Sequence, residues 1–97
     1  MIDFTNLEEW TKTYFSNPEN ITKSEKACER YDRILVKNVR QMMLSGEETI
    51  EIEKAKEMDP GKRLEKARYE YVPARNAEGK KGRIRVDLLD RTAEFVD

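Results

Sequence analysis

The chain has 97 residues, with 19 Lys and Arg against 20 Asp and Glu, one Cys and no His. That length suits one domain with a modest core, and the absence of His removes the usual ligands and bases of catalytic zinc, haem and imidazole chemistry. The lone Cys28 excludes an intrachain disulfide, and a cysteine zinc site would need ligands from several subunits, so the thiol reads as structural or incidental.

The near-neutral total conceals segregated charge. Residues 1–19 carry a net −3, 20–45 +3, 46–59 −4, 60–86 +6 and 87–97 −3. Such blocks either pair with one another, orienting elements at about 0–1 kcal/mol per exposed pair, or leave a positive surface for a partner. Charged residues are 40% of the chain and apolar ones 37%, so sharing the core with a second copy is a further option. The opening MIDFTNLEEW lacks a basic region followed by an apolar run. No later stretch reaches the roughly 20 apolar residues of a membrane span. A cytoplasmic protein without a membrane partner is expected.

The first element is a helix. Thr5 and Glu8 have the spacing of a capping box, and Leu7, Trp10, Tyr14 and Phe15 recur on one face, with an end near Ser16 and a connection through Asn17-Pro18. These rings belong in the core, although Trp10 and Tyr14 would also suit an interface or a stacked base. A longer helix starts at Thr22, where Glu25 completes a second capping box. Ala27, Tyr31, Ile34 or Leu35, Asn38 or Val39, and Met42 form its apolar seam, and Lys26, Arg30, Arg33, Lys37 and Arg40 form a basic flank. Gly46 marks its end.

The segment after Gly46 supports two readings. Thr49-Ile50-Glu51-Ile52 alternates as a strand does, which favours a strand over 49–53, while 51–58 is also rich in helix formers. Asp59-Pro60-Gly61 interrupts either one, or caps a helix running to Glu70. Ala67, Tyr69 and Tyr71 then alternate with Arg68, Glu70 and Val72. In KKGRIRVDLL, Ile84, Val86 and Leu88 lie on one face opposite Arg83, Arg85 and Asp87. PARNAEGKKG between them supplies the turn of a hairpin. Residues 89–95 add a last short helix or fray, with Phe95 docking to the core. The fold class is therefore α+β, two N-terminal helices packed on a small antiparallel sheet, with a mostly α fold as the alternative.

Function rests on the cations. Lys62, Arg63, Lys66, Arg68, Arg75, Lys80, Lys81, Arg83 and Arg85 are all available to anions, and Tyr69 or Tyr71 would stack a base if its ring faced outward. Alternation narrows the hairpin set to Arg75, Lys80, Lys81, Arg83 and Arg85, to which the helix flank adds Arg33, Lys37 and Arg40. The acidic Asp87, Asp90, Glu94 and Asp97 nearby work against phosphate. GKKG lacks the spacing and terminal Lys-Ser or Lys-Thr of a nucleotide loop, and acid pairs such as Glu47-Glu48 or Asp87-Asp90 do not make a metal site by adjacency. No cofactor, metal or catalytic residue is expected. The leading expectation is a non-enzymatic protein that binds an acidic surface of another protein, by inhibition or assembly. RNA or DNA binding through the basic hairpin and a homo-oligomeric structural role are the alternatives.

Overall fold

A computed structural model describes residues 1–97 and has an α+β architecture. Two N-terminal helices, α1 (Leu7–Ser16) and α2 (Pro18–Leu44), precede two short ones, α3 (Ile52–Glu57) and α4 (Arg63–Arg68). Strands β1 (Ile2–Asp3), β2 (Tyr69–Arg75), β3 (Lys81–Asp87) and β4 (Thr92–Val96) form one sheet in the order β1-β2-β3-β4. β2 and β3 pair antiparallel, as the alternation implied, and β4 adds antiparallel to β3. β1 pairs parallel with β2, so the sheet is mixed rather than purely antiparallel.

Both capping boxes of the sequence reading are replaced by asparagine caps. The Asn6 side chain accepts the Glu9 amide at 3.1 Å, and α1 starts one residue later than a Thr5 cap would set it. Asn17 accepts the Glu19 amide at 3.0 Å, and Pro18 occupies the first helical position, where its missing N–H costs nothing and its φ is already helical. α2 therefore begins four residues before Thr22, whose hydroxyl instead donates to the Pro18 carbonyl. At the other end Gly46, at φ 82°, takes the left-handed turn just past Ser45.

The core lies between α1, the first half of α2 and one face of the sheet. Ala27, Ala74, Ile84, Val86 and Leu88 are buried, and Leu7, Trp10, Tyr14, Phe15 and Phe95 pack against them. Trp10 stacks on Tyr14 with centroids 5.2 Å apart, and Phe15 meets Tyr14 edge-on at 4.9 Å, so the α1 rings serve the core. The Tyr14 hydroxyl donates to Glu70, which also accepts from Lys23 at 3.0 Å, joining α1, α2 and β2. Burial, reinforced by that carboxylate, pushes the Tyr14 hydroxyl well above its ordinary pKa.

Two expected elements have a different form. Residues 49–53 are not a strand: Ile52–Glu57 is helical. This segment lies against the distal half of α2, away from any strand edge, and Asn38 donates to the Ala55 carbonyl at 3.1 Å while Ala55 is fully buried. The Glu, Lys and Ala content then favours the helix. Residues 89–95 do not form a last helix either. The Asp87 carboxylate accepts the Leu89 and Asp90 amides, both at 3.0 Å, and Arg91 sits at φ 55°. This local turn folds the chain back as β4, and Phe95 reaches the core from a strand. Arg68, assigned by alternation to the strand, is the last residue of α4.

Gly82 is held by close approach. It pairs with Ala74 across the sheet, and a Cβ there would lie 2.6 Å from the Val96 carbonyl oxygen and 2.7 Å from the Phe95 ring. Gly82→Ala is expected to lower stability by about 1–3 kcal/mol through overpacking against backbone, read as a lower urea midpoint at unchanged slope.

Candidate anion-binding groove

The cations of α2 follow a helical rule. Lys26, Arg30, Arg33, Lys37 and Arg40 are separated by four, three, four and three residues, which at 3.6 residues per turn confines all five to an arc of about 80°. All five are exposed. The arc lies beside the apolar seam, so the row runs along the edge where α2 meets α4.

Across that edge α4 contributes Arg63 and Lys66, three residues apart on one side of a helix whose other side buries Leu64 and Ala67. Ile34, Leu64 and Ala67 form a small second core. Above it lies an open groove of about 260 Å³, lined by Arg30, Arg33, Lys37, Arg63 and Lys66 and floored by Ile34 and Ala67. No carboxylate lines it. A neighbouring hollow shares Arg30 and Lys66 and carries the row on to Lys26 and Lys23, where Glu70 is paired with Lys23.

Position of α4 depends on its last residue. Arg68 donates to Asp87 at 2.8 and 3.0 Å and to Asp90 at 2.9 Å, and its carbonyl accepts the Leu88 amide. At the other end Asp59 accepts the Leu64 amide at 2.9 Å. Burial alone would raise the Asp87 carboxyl. The Arg68 guanidinium and the Asp90 and Leu89 amides outweigh it and hold the group below the ordinary carboxylate range.

The hairpin cations fare differently from those of the groove. Arg75 pairs with Asp3 at 2.7 Å, Lys80 with Asp97 at 3.0 Å and Arg85 with Glu94 at 2.8 Å. Lys81 and Arg83 have no ion pair, and the Arg83 guanidinium lies over the Tyr71 ring at 4.6 Å on the outer face of the sheet. The Arg85 guanidinium covers Tyr69 at 4.8 Å. Of the expected site residues, Arg33 and Lys37 lie in the groove, Arg40 continues their row, and Arg75, Lys80, Lys81, Arg83 and Arg85 belong to the separate hairpin. Arg30, Arg63 and Lys66 complete the groove. The heptad-like spacing of the α2 cations was the signal for Arg30; nothing local joined Arg63 and Lys66 to it.

Five cations face one groove without a counter-charge; elsewhere Lys12, Lys23, Lys54, Lys56, Arg68, Arg75, Lys80 and Arg85 are paired, while Lys26, Arg40, Lys62, Lys81, Arg83 and Arg91 stand apart from the groove and make no ion pair. A second row on α2, Glu25, Glu29 and Asp32, lies about 90° around the helix and makes no ion pair with the first. No three His, Cys, Asp or Glu side chains are grouped as a metal site, and no helix is long and apolar enough to cross a membrane. The chain matches no protein-family model, and neither a curated protein nor a solved structure is significantly similar to it.

Because the folded Asp87 pKa lies below its ordinary value of 3.8, the stability it contributes is present above that pH and is lost as pH falls through the folded value. Asp87→Asn should cost about 2–4 kcal/mol at pH 7, between the values of exposed and buried pairs. It should also flatten the decline of the melting temperature below about pH 4, measured by circular dichroism.

Proposed function

We propose that this protein works by binding, without chemistry of its own, and that its partner is an acidic segment of another protein seated along the α2–α4 groove. The observation that carries this reading is the set of five groove cations with no carboxylate among them. Like charges at three- and four-residue spacing oppose helix stability by a few tenths of a kcal/mol per pair. A row of unneutralised cations therefore does not serve the fold, and is stabilised when a carboxylate ligand arrives.

The acidic row of Glu25, Glu29 and Asp32 favours protein over nucleic acid. A phosphate backbone presents one sign only and is repelled by that row, while a protein surface can match adjacent rows of opposite sign and gain specificity from doing so. The paired cations of the hairpin are already satisfied by Asp3, Glu94 and Asp97 and are secondary in this reading.

Fluorescence anisotropy with a labelled peptide that carries a Glu block followed by a Lys block, and with oligouridylate of equal length, at about 50 and 300 mM salt, tests the class of partner. Saturable binding to the block peptide, tighter than to the RNA, is expected. The triple reversal of Arg30, Arg33 and Arg63 to Glu should weaken it at least about tenfold. Reversal of the paired Lys80 and Arg85 should change it less than about twofold. Tighter binding of the RNA would replace this reading with the nucleic-acid one. Loss confined to the Lys80 and Arg85 variant would return the site to the hairpin, and equal loss from both would make the binding non-specific and overturn the groove.

The same row predicts a separation of stability from binding. Arg30→Gln and Lys37→Gln are expected to leave the melting temperature unchanged or raise it slightly, while each reduces affinity for the block peptide. A fall in melting temperature with unchanged affinity would make the row structural.

A further inference from the structure

Beyond the groove, the distal half of α2 carries a strip that mixes two chemistries. Arg33, Val36, Arg40 and Met43 follow one another at steps of three, four and three residues, so they stack along one side of the helix over about 15 Å. All four are exposed. Val36 is 48% and Met43 62% accessible, and Leu44, 82% accessible, closes the end of the strip. From Arg33 to Gly46 the chain holds three cations and no carboxylate. The strip thus alternates cation and apolar side chain along a line, and α3 and α4 cover a different side of α2, where Ile34, Asn38 and Met42 are buried.

We propose that this strip reads the partner's pattern: the ligand is an amphipathic acidic helix in which carboxylates and apolar side chains alternate at three- and four-residue steps. Its carboxylates meet Arg33 and Arg40, and its apolar side chains lie on Val36, Met43 and Leu44. The inference rests on the groove reading and deepens it, from an acidic segment to one with a defined period. Charge complementarity selects acidic over basic helices. Exposed aliphatic side chains between the cations reward a ligand that brings apolar atoms in register, which a purely acidic chain cannot do. A lipid surface is a poorer match. An interfacial helix puts its apolar and basic side chains on opposite faces, at different depths, whereas here they share one line.

The test uses the full chain and two fluorescein-labelled peptides of about 18 residues, long enough to cover groove and strip. In one, Leu and Glu alternate at three- and four-residue steps; in the other the same residues are arranged without that period. The native protein is expected to bind the patterned peptide about tenfold more tightly than its isomer. The combined variant Val36→Ser, Met43→Ser, Leu44→Ser should reduce that ratio below about twofold, its exposed positions leaving the fold intact by circular dichroism. The variant Arg30→Glu, Lys66→Glu should weaken both peptides alike. Equal affinity of the native protein for the two peptides, or a preference retained by the serine variant, overturns the proposal. In either case, sensitivity of both peptides to Arg30→Glu, Lys66→Glu leaves the groove reading standing, and insensitivity removes that as well. Binding to phosphatidylserine vesicles in preference to the patterned peptide also overturns it.

Discussion

The length of α2 governs the rest of the molecule. Its 27 residues extend about 40 Å, whereas a seven-residue strand covers about 23 Å. The sheet can bury the apolar seam only along the first half of the helix. The remainder would be left in water with Ile34, Asn38 and Met42 exposed, and α3 and α4 supply the missing cover. The result is an elongated body of 52 × 28 × 17 Å with a sheet-based core at one end and a helical one at the other. Because the added helices are only six residues each, they cover one side of the overhang and leave the basic flank open.

Two polar links, one buried and one part-buried, tie these parts together. Ser24, in the first half of α2, donates to the Leu88 carbonyl at 2.6 Å and accepts from Arg91, locking the helix to the turn between β3 and β4. Arg68 joins α4 to Asp87 in the same region. Buried polar groups are tolerated where their bonds are made, and here they set the angle at which α4 lies beside α2. That angle decides that Arg63 and Lys66 face Arg30, Arg33 and Lys37 across a groove rather than pointing to separate patches of solvent.

The charge blocks of the sequence have two fates. The acidic C-terminal residues fold back on the hairpin, and Asp97, Glu94 and Asp90 take up Lys80, Arg85 and Arg68. Asp3, from the far end of the chain, takes up Arg75. The hydrogen bond from that guanidinium holds the Asp3 carboxyl below its ordinary value. The α2 row and Arg63 and Lys66 of α4 have no such counterpart, because the acidic run 46–59 lies at the distal end of the helix and pairs its own lysines, Lys54 with Glu47 and Lys56 with Glu53.

Much of this was legible in the residues. The aromatic spacing in α1, the seam and basic flank of α2, its glycine stop, and the Tyr69–Asp87 hairpin all follow from local periods of 3.6 and 2 and from turn chemistry, which act over a few residues. The asparagine caps were legible too, but each competed with a threonine box nearby, and Pro18 decided one of them. What the sequence could not decide was everything set at long range. Residues 49–53 and 89–95 carry weak local preferences, so the buried face offered by α2 and the open edge offered by β3 chose helix for one and strand for the other. The basic groove is of the same kind. Its five cations were visible one by one, but their meeting depends on α4 being anchored through Arg68 and Asp87, residues 19 apart, and no local pattern specifies a contact across that distance.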